Sequence, residues 1–397
     1  MINLAVLYGS RACEHDVSIV TALQAMDNLD RSKYNVIPVY LAKDGRWFTG
    51  QALRDVRFYK AFDEAKVTPC RLSPAGNGQG LLERWPKKRS LFGGADELAR
   101  VDCCLLAFHG MNGEDGTIQG LLELYDIPFT SSGVLGSAAG MDKIAMKLLY
   151  KGAGFPVLDM VWFLREDFQR DRQAQLDRVE RAFGYPCFVK PANLGSSIGI
   201  TKAKDRASLE QAIEVAAGFD KRILVEKGLE KPKEVNCAAL GYGGDVRASV
   251  CEMPVSWEEF LRFDDKYLHG AKGAKGSNKA PAKGGMASLG RQIPAPIPQE
   301  TTEKIQAITV EMFRLMDLKG VVRVDYLIDQ ESGQVYVNEV NTIPGSLAFY
   351  LWEPLGIPYA KLLDALVEDA FKAREDKNRS SFSFQSAILD KVGGSKR

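Results

Sequence analysis

Apolar residues fall into two kinds of run along this chain. Residues 4–8 form a short continuous block closed by Gly9-Ser10, which is the form of a buried strand. Val17, Ile19, Val20, Leu23, Met26 and Leu29 then recur roughly every three or four residues, as on one face of a helix. Residues 36–41 and 101–108 repeat the strand form. The second of these runs into the turn-rich His109-Gly110-Met111-Asn112-Gly113. That succession predicts a parallel sheet flanked by helices, with functional loops at the strand C-termini. Residues 42–100 carry Gly, Pro and Lys patches and read as surface excursions.

A second unit begins near Ser131, where the small-residue stretch 131–140 leads into a helix from Met141. Residues 186–190 read as a strand closed by the loop Pro191-Ala192-Asn193-Leu194-Gly195-Ser196-Ser197. A third unit carries strands at 222–226, 234–242, 247–252, 321–328 and 335–340. The pattern divides the chain into 1–130, 131–218 and 219–378, with a loosely held tail at 379–397. Residues 268–292 are rich in Gly, Lys, Ala and Ser and lack apolar periodicity. On composition alone they form a disordered surface loop.

Composition narrows the class. Of the 397 residues, 45% are hydrophobic and 26% charged, as in an ordinary globular enzyme. Lys plus Arg (52) balances Asp plus Glu (51), so no overall field points to nucleic acid or to an anionic membrane. No apolar run is long enough to span a bilayer, and no basic segment precedes the first strand, so neither a membrane span nor a signal peptide is expected. The seven scattered cysteines suit free thiols in a reducing cytosol. With three histidines in all, a catalytic zinc centre is not expected.

The densest chemistry lies on two late strands. A period of two places Val322, Val324, Tyr326 and Ile328 on one face, and Arg323 and Asp325 on the other. A short turn at 329–333 then brings back a strand with Glu339 and Asn341 on one face. Asp, Glu and Asn supply only hard oxygen ligands, a set suited to Mg²⁺ and nucleotide phosphates. An adjacent Arg could neutralise developing phosphoryl charge. A solvated hairpin face with a salt bridge would carry the same residues. Lys143 at a helix start, and Lys190 before the Gly195-Ser196-Ser197 loop, add what phosphate cradling requires. Neither the G-x-x-x-x-G-K-[ST] loop nor a G-x-G-x-x-G fingerprint is present.

These motifs occur in an ordered series: Glu14-His15-Asp16-Val17-Ser18, His109-Gly110 with Gly113-Glu114-Asp115-Gly116, Met141-Asp142-Lys143, Val189-Lys190-Pro191 with Gly195-Ser196-Ser197, Val225-Glu226-Lys227, Asp265-Lys266-Tyr267-Leu268, Arg323-Val324-Asp325, and the run 338–345. As a set, extending from residue 1 to about 370, the series resembles the D-alanine–D-alanine ligase family of the ATP-grasp superfamily. The resemblance implies an ATP-grasp fold, α/β and α+β, behind an N-terminal parallel α/β domain. It also implies a cytoplasmic homodimer that joins two D-alanines for peptidoglycan synthesis, using ATP and two Mg²⁺ or Mn²⁺ ions. Carried over by position, Lys143, Lys190 and the Ser197 loop bind ATP phosphates. Glu226, Lys227 and Leu229 line the adenine slot, Glu234 holds the ribose, and Asn338 belongs to the nucleotide site. Asp325, Glu339 and Asn341 ligate the metal. Glu14, oriented by Ser196 and Tyr267, holds the first D-alanine. Lys266 reaches the γ-phosphate, and Arg323 with the Gly345 N–H stabilises the oxyanion. The resemblance also turns residues 268–292 into an expected lid over the substrates.

Many of these ligases carry a small hydroxyl residue nine positions beyond the metal-binding Asn, where it grips the carboxylate of the second D-alanine. Here that position is Tyr350, and either Tyr350 or Ser346 supplies the contact. A D-alanine–D-lactate or D-serine ligase, and another ATP-grasp carboxylate–amine ligase, are the nearest alternatives. Tyr267 favours the dipeptide.

Overall fold

The computed structural model describes residues 1–86, 96–254 and 290–381. Among them, three sheets carry the fold. The first comprises β1 (Ile2–Gly9), β2 (Tyr34–Leu41), β3 (Trp47–Thr49), β4 (Thr68–Gly76), β5 (Gln79–Arg84), β6 (Glu97–Val101) and β7 (Cys103–Leu106), in the order β6-β5-β4-β3-β2-β1-β7. The sheet is parallel only across β2, β1 and β7, and the remaining pairs are antiparallel. Residues 42–100 therefore supply four strands, β3 to β6, where the sequence reads as surface excursions. Their burial is partial, which hides the alternation.

The run at 101–108 is likewise broken. Asp102 stands between β6 and β7 and accepts the Asn3 N–H at 2.8 Å and Gln79 Nε2 at 2.6 Å. β6 and β7 occupy opposite ends of the strand order but are one residue apart, so the sheet curls until its two ends meet. Helix α1 (His15–Asn28) packs on β1 through Ile19, Ala22 and Met26.

Helix α2 (Thr117–Leu124) leads to α3 (Val134–Met141) and α4 (Lys143–Gly152). The small-residue stretch is itself helical over α3, because Gly136 and Gly140 allow close packing. A Cβ on Gly136 would lie 2.7 Å from Leu318 Cδ2, and one on Gly140 would lie 2.9 Å from Thr342 Cγ2. Asp142 caps α4, accepting the Ile144 and Ala145 N–H groups at 3.0 and 2.9 Å.

The second sheet is antiparallel, with β8 (Met160–Leu164), β9 (Cys187–Pro191), β10 (Thr201–Ala203) and β11 (Arg222–Lys227) in the order β10-β9-β11-β8. Val161, Phe163, Cys187, Val189, Ile223 and Val225 pack under α5 (Arg165–Arg170), α6 (Arg172–Ala182) and α7 (Arg206–Phe219). Alternation then turns Lys190 and Glu226 to the opposite face.

The third sheet holds β12 (Lys233–Tyr242), β13 (Asp245–Pro254), β14 (Arg291–Gln292), β15 (Gly320–Ile328) and β16 (Val335–Asn341), in the order β14-β13-β12-β15-β16. Val322, Val324 and Tyr326 join Ile305, Met312 and Phe313 of α8 (Gln299–Leu315) in one core, as the period of two predicts. After β16 the chain makes a 3-10 turn at Gly345–Leu351, in which Ser346, Leu347 and Ala348 have φ of 53°, 53° and 50°. Helix α9 (Tyr359–Asn378) returns to the core of the first sheet through Leu362, Leu363 and Leu366.

Candidate active site

The inward faces of the second and third sheets form a cleft lined among others by Lys190, Glu226, Lys227, Leu229, Asn338 and Glu339. Its chemistry centres on one carboxylate. Glu226 is 1% exposed and pairs with Lys147 Nζ at 2.5 Å and with Lys190 Nζ. Burial alone would raise the Glu226 pKa, but the two lysines outweigh it and hold the carboxyl at about 2. Lys147 is fully buried, and its pKa is pushed down by burial against the pull of Glu226. Lys190 Nζ also donates to Asn338 Oδ1 at 3.2 Å. Glu234 stands on β12 opposite Leu327, another lining residue. Lys143, at the start of α4, donates to the Leu194 carbonyl at 2.6 Å and lies 3.5 Å from Glu339 Oε2. It thus ties the Ser196-Ser197 loop to the cleft.

On the β15–β16 hairpin, Asp325 faces Glu339 in register and Arg323 faces Asn341. Arg323 donates from Nε and Nη2 to Asp325 Oδ1 and Oδ2 at 2.6 and 2.8 Å. Asn341 Nδ2 donates to Asp325 Oδ2 at 3.0 Å. Burial opposes the Arg323 charge, but Asp325 more than offsets it. The donor set fits a divalent cation. It offers hard oxygens from Asp325, Glu339 and Asn341, although Arg323 and Lys143 already balance part of the carboxylate charge.

The loops after β1 and β7 build the other end. Glu14 stands at the N-terminal boundary of α1 at 4% exposure and accepts from Ser196 Oγ at 2.8 Å. Two glycines make room for it: a Cβ would stand 2.4 Å from Glu14 Oε1 at Gly195, and 2.1 Å from Oε2 at Gly110. Behind it, Glu114 Oε2 accepts the Gly110 N–H at 2.7 Å and its Oε1 accepts the Ile343 N–H at 3.0 Å. Burial first, and then the Glu14 charge, push the Glu114 pKa up to about 8. His109, paired with Thr21 Oγ1 at 2.8 Å, is pushed down to about 4 by burial. Ser196 and Ser197 have φ of 53° and 58°, a sparsely populated conformation that often marks ligand-binding loops.

Past the hairpin, Gly345 opens the 3-10 turn. Ser346 Oγ donates to Gln24 Oε1 at 2.7 Å, and its N–H donates to Thr21 Oγ1 at 3.2 Å. Tyr350 is 3% exposed and donates to Glu252 Oε1 at 3.2 Å. Glu252 in turn receives Arg291 Nη1 on Oε2 at 2.6 Å. Lys266 and Tyr267, and most of the expected lid 268–292, lie outside the described residues.

Lys147, Glu252 and Arg291 went unremarked in the sequence. Lys147 resembles any helix lysine until its distant partner is known. Arg291 sits at the end of the biased segment. Glu114 stands inside a motif with no role attached to it. Its proximity to Glu14, a hundred residues away, is what sets it apart.

Two family models match the chain: the D-ala D-ala ligase N-terminus over residues 3–132 and the D-ala D-ala ligase C-terminus over residues 149–368. A D-alanine–D-alanine ligase of Thermosipho africanus is 36% identical over 392 residues, covering 98% of this chain and 99% of the relative. One from Bacillus cytotoxicus is 35% identical over 390 residues, covering 96% and 99%. Among solved structures, the D-alanine–D-alanine ligase of Coxiella burnetii superposes with a TM-score of 0.75 at 25% identity, covering 96% of this chain and 98% of its own. The VanG D-Ala:D-Ser ligase of Enterococcus faecalis does so at 0.74 and 27%, covering 93% and 99%. The fold is that of the ATP-grasp ligases.

Proposed function

Because this chain belongs to the D-alanine–D-alanine ligase family, we propose that it joins two D-alanines at the expense of ATP, releasing ADP and phosphate. One observation carries the reading: the cleft holding Lys190, Glu226, Lys227, Leu229 and Asn338 runs into the Arg323–Asp325 hairpin.

The first D-alanine binds with its ammonium at Glu14, oriented by Ser196 and by Tyr267. Its carboxylate oxygen attacks the γ-phosphorus, the bond to the ADP oxygen breaks, and D-alanyl phosphate forms. Two anions must meet in that step, so positioning and charge neutralisation supply most of the catalysis. Lys143, Lys190 and the Ser197 loop hold the phosphates, with Lys266 at the γ-phosphate. Glu226, Lys227 and Leu229 line the adenine slot, and Glu234 binds the ribose. Asp325, Glu339 and Asn341 would hold Mg²⁺ or Mn²⁺, which supplies positive charge beside the phosphates when bound. The amine of the second D-alanine, having lost a proton, then attacks the acyl carbonyl. Arg323 and the Gly345 N–H stabilise the oxyanion, a donor role typically worth about 3 kcal/mol. Phosphate leaves as the peptide bond forms. Water would hydrolyse the acyl phosphate, so the chemistry requires that water be kept from the site.

The dipeptide serves peptidoglycan synthesis in the cytoplasm. Seven free cysteines, six of them buried, support a reducing compartment. Among the described residues no helix is long and apolar enough to cross a membrane. We expect a homodimer. The test is ADP release with D-alanine, measured beside D-serine, D-lactate and L-alanine as second substrates. ADP release that does not depend on D-alanine would overturn the reading. Preferential capture of D-serine or D-lactate would move the chain to the corresponding ligase.

A further inference from the structure

Both hydroxyls at the acceptor end are already engaged. Ser346 Oγ is turned into α1, where Gln24 receives it. Tyr350 gives its only O–H to Glu252. A carboxylate arriving here needs a donor with spare N–H groups, and Arg291 has them. Its guanidinium lies over the Tyr350 ring, 4.3 Å from the centroid. The side chain is 9% exposed, and its Nη1 is fixed by Glu252. Nε has no hydrogen-bond partner among the described residues. A buried guanidinium with an unsatisfied donor edge is built for a planar anion.

The neighbours explain how that edge is held. Glu252 is 1% exposed and receives Arg291 on one oxygen and, on the other, Tyr350 and Asn236 Nδ2, both at 3.2 Å. Glu252 therefore fixes Arg291 from one end and Tyr350 supports its flat face. β14 pairs Arg291 with Pro254 of β13, which gives it a rigid base. Arg323 has its Nε–Nη2 edge committed to Asp325 and does not offer that fork to a second carboxylate.

We propose that Arg291 binds the carboxylate of the acceptor amino acid, with Glu252 and Tyr350 as positioning residues that aim its guanidinium. This assignment rests on the ligase reading above. It replaces the small hydroxyl expected at position 350 with a charged fork. It makes a free α-carboxylate, rather than an amine alone, the feature that selects the acceptor.

The experiment compares two acceptors in competition for the same D-alanyl phosphate: D-alanine, and D-alaninamide, which lacks the carboxylate and cannot act as donor. Hydroxylamine, trapped as D-alanine hydroxamate, reports donor activation separately. In wild type, D-alanine should be favoured over D-alaninamide by at least a hundredfold. Arg291→Gln should lower that preference, and the ratio of dipeptide to hydroxamate, by at least tenfold. Because Arg291→Gln leaves Glu252 unpaired, the paired variant Arg291→Gln with Glu252→Gln removes both charges together and guards against loss of fold. It should show the same collapse of preference. A preference that survives in both variants would overturn the assignment. So would a collapse seen in Tyr350→Phe but not in either Arg291 variant, because the contact would then belong to the phenol. If wild type forms no hydroxamate from D-alanine and ATP, the ligase reading itself fails, and this assignment fails with it.

Discussion

Arg323 grips both carboxylate oxygens of Asp325, two residues along the same strand, through separate nitrogens at 2.6 and 2.8 Å. The residue proposed for the oxyanion is thus the partner of a residue proposed for the metal. A divalent cation entering the site meets a carboxylate whose charge is already balanced.

Arg323→Met should therefore have opposite effects on chemistry and on metal binding. Turnover should fall by a factor of about 10² or more, as for loss of an oxyanion donor. Mn²⁺ binding in the presence of ADP, read by electron paramagnetic resonance, should become several-fold tighter. Weaker Mn²⁺ binding in a folded variant would show that Asp325 is not a ligand.

Glu226 sits between Lys147 and Lys190, so Lys147→Met leaves a buried carboxylate with one partner. Removing half of such a pair typically costs about 3–5 kcal/mol of stability. The remaining lysine would then be drawn towards Glu226 and away from phosphate. The Michaelis constant for ATP should rise about tenfold, equivalent to about 1.4 kcal/mol, with that for D-alanine little changed. An equal rise for both substrates would argue that Lys147 merely supports the fold.

Glu114 gives a pH signature. Its folded pKa, about 8, lies above the ordinary carboxylate value. Between about pH 5 and 8 the unfolded chain has lost this proton while the folded chain keeps it, so stability declines across that window. Below it, the contribution is fully present. Glu114→Gln cannot ionise. Its urea midpoint should start lower, because one backbone donor loses its acceptor, and should then fall less steeply towards pH 8 than wild type. Parallel curves would mean that Glu114 is already ionised in the fold.

Gly195 and Glu14 should behave as one unit. An added methyl at Gly195 would stand 2.4 Å from Glu14 Oε1, closer than any van der Waals contact. Gly195→Ala should raise the Michaelis constant for the first D-alanine at least tenfold with little change in melting temperature. Glu14→Gln should add little in that background, because coupled neighbours are not additive. Full additivity would separate the two residues.

Parts of this site were legible because they repeat locally. The period of two on β15 and β16 puts Arg323 and Asp325 on the face away from α8, and the short turn sets Glu339 and Asn341 against them. Lys190 and the 195–197 glycine-serine loop were legible because they adjoin in sequence, a lysine closing an apolar strand just before the loop. Pairings across distant sequence were not. Lys147 with Glu226, Glu114 with Glu14, and Arg291 with Tyr350 leave no periodic trace, since each depends on how separate sheets meet. The strands β3 to β6 were missed because only part of each is buried.

The turn after Gly345 runs in the hand that side-chain-bearing residues avoid, at about 1–2 kcal/mol for each. Three consecutive residues adopt it, and all three are at most 3% exposed. The surrounding packing holds them there. The outcome is a sorting of hydroxyls, with the serine directed back to the scaffold and the tyrosine towards Glu252 and the Arg291 guanidinium. Chirality of the main chain, as much as the identity of any side chain, thus governs where each hydroxyl is directed.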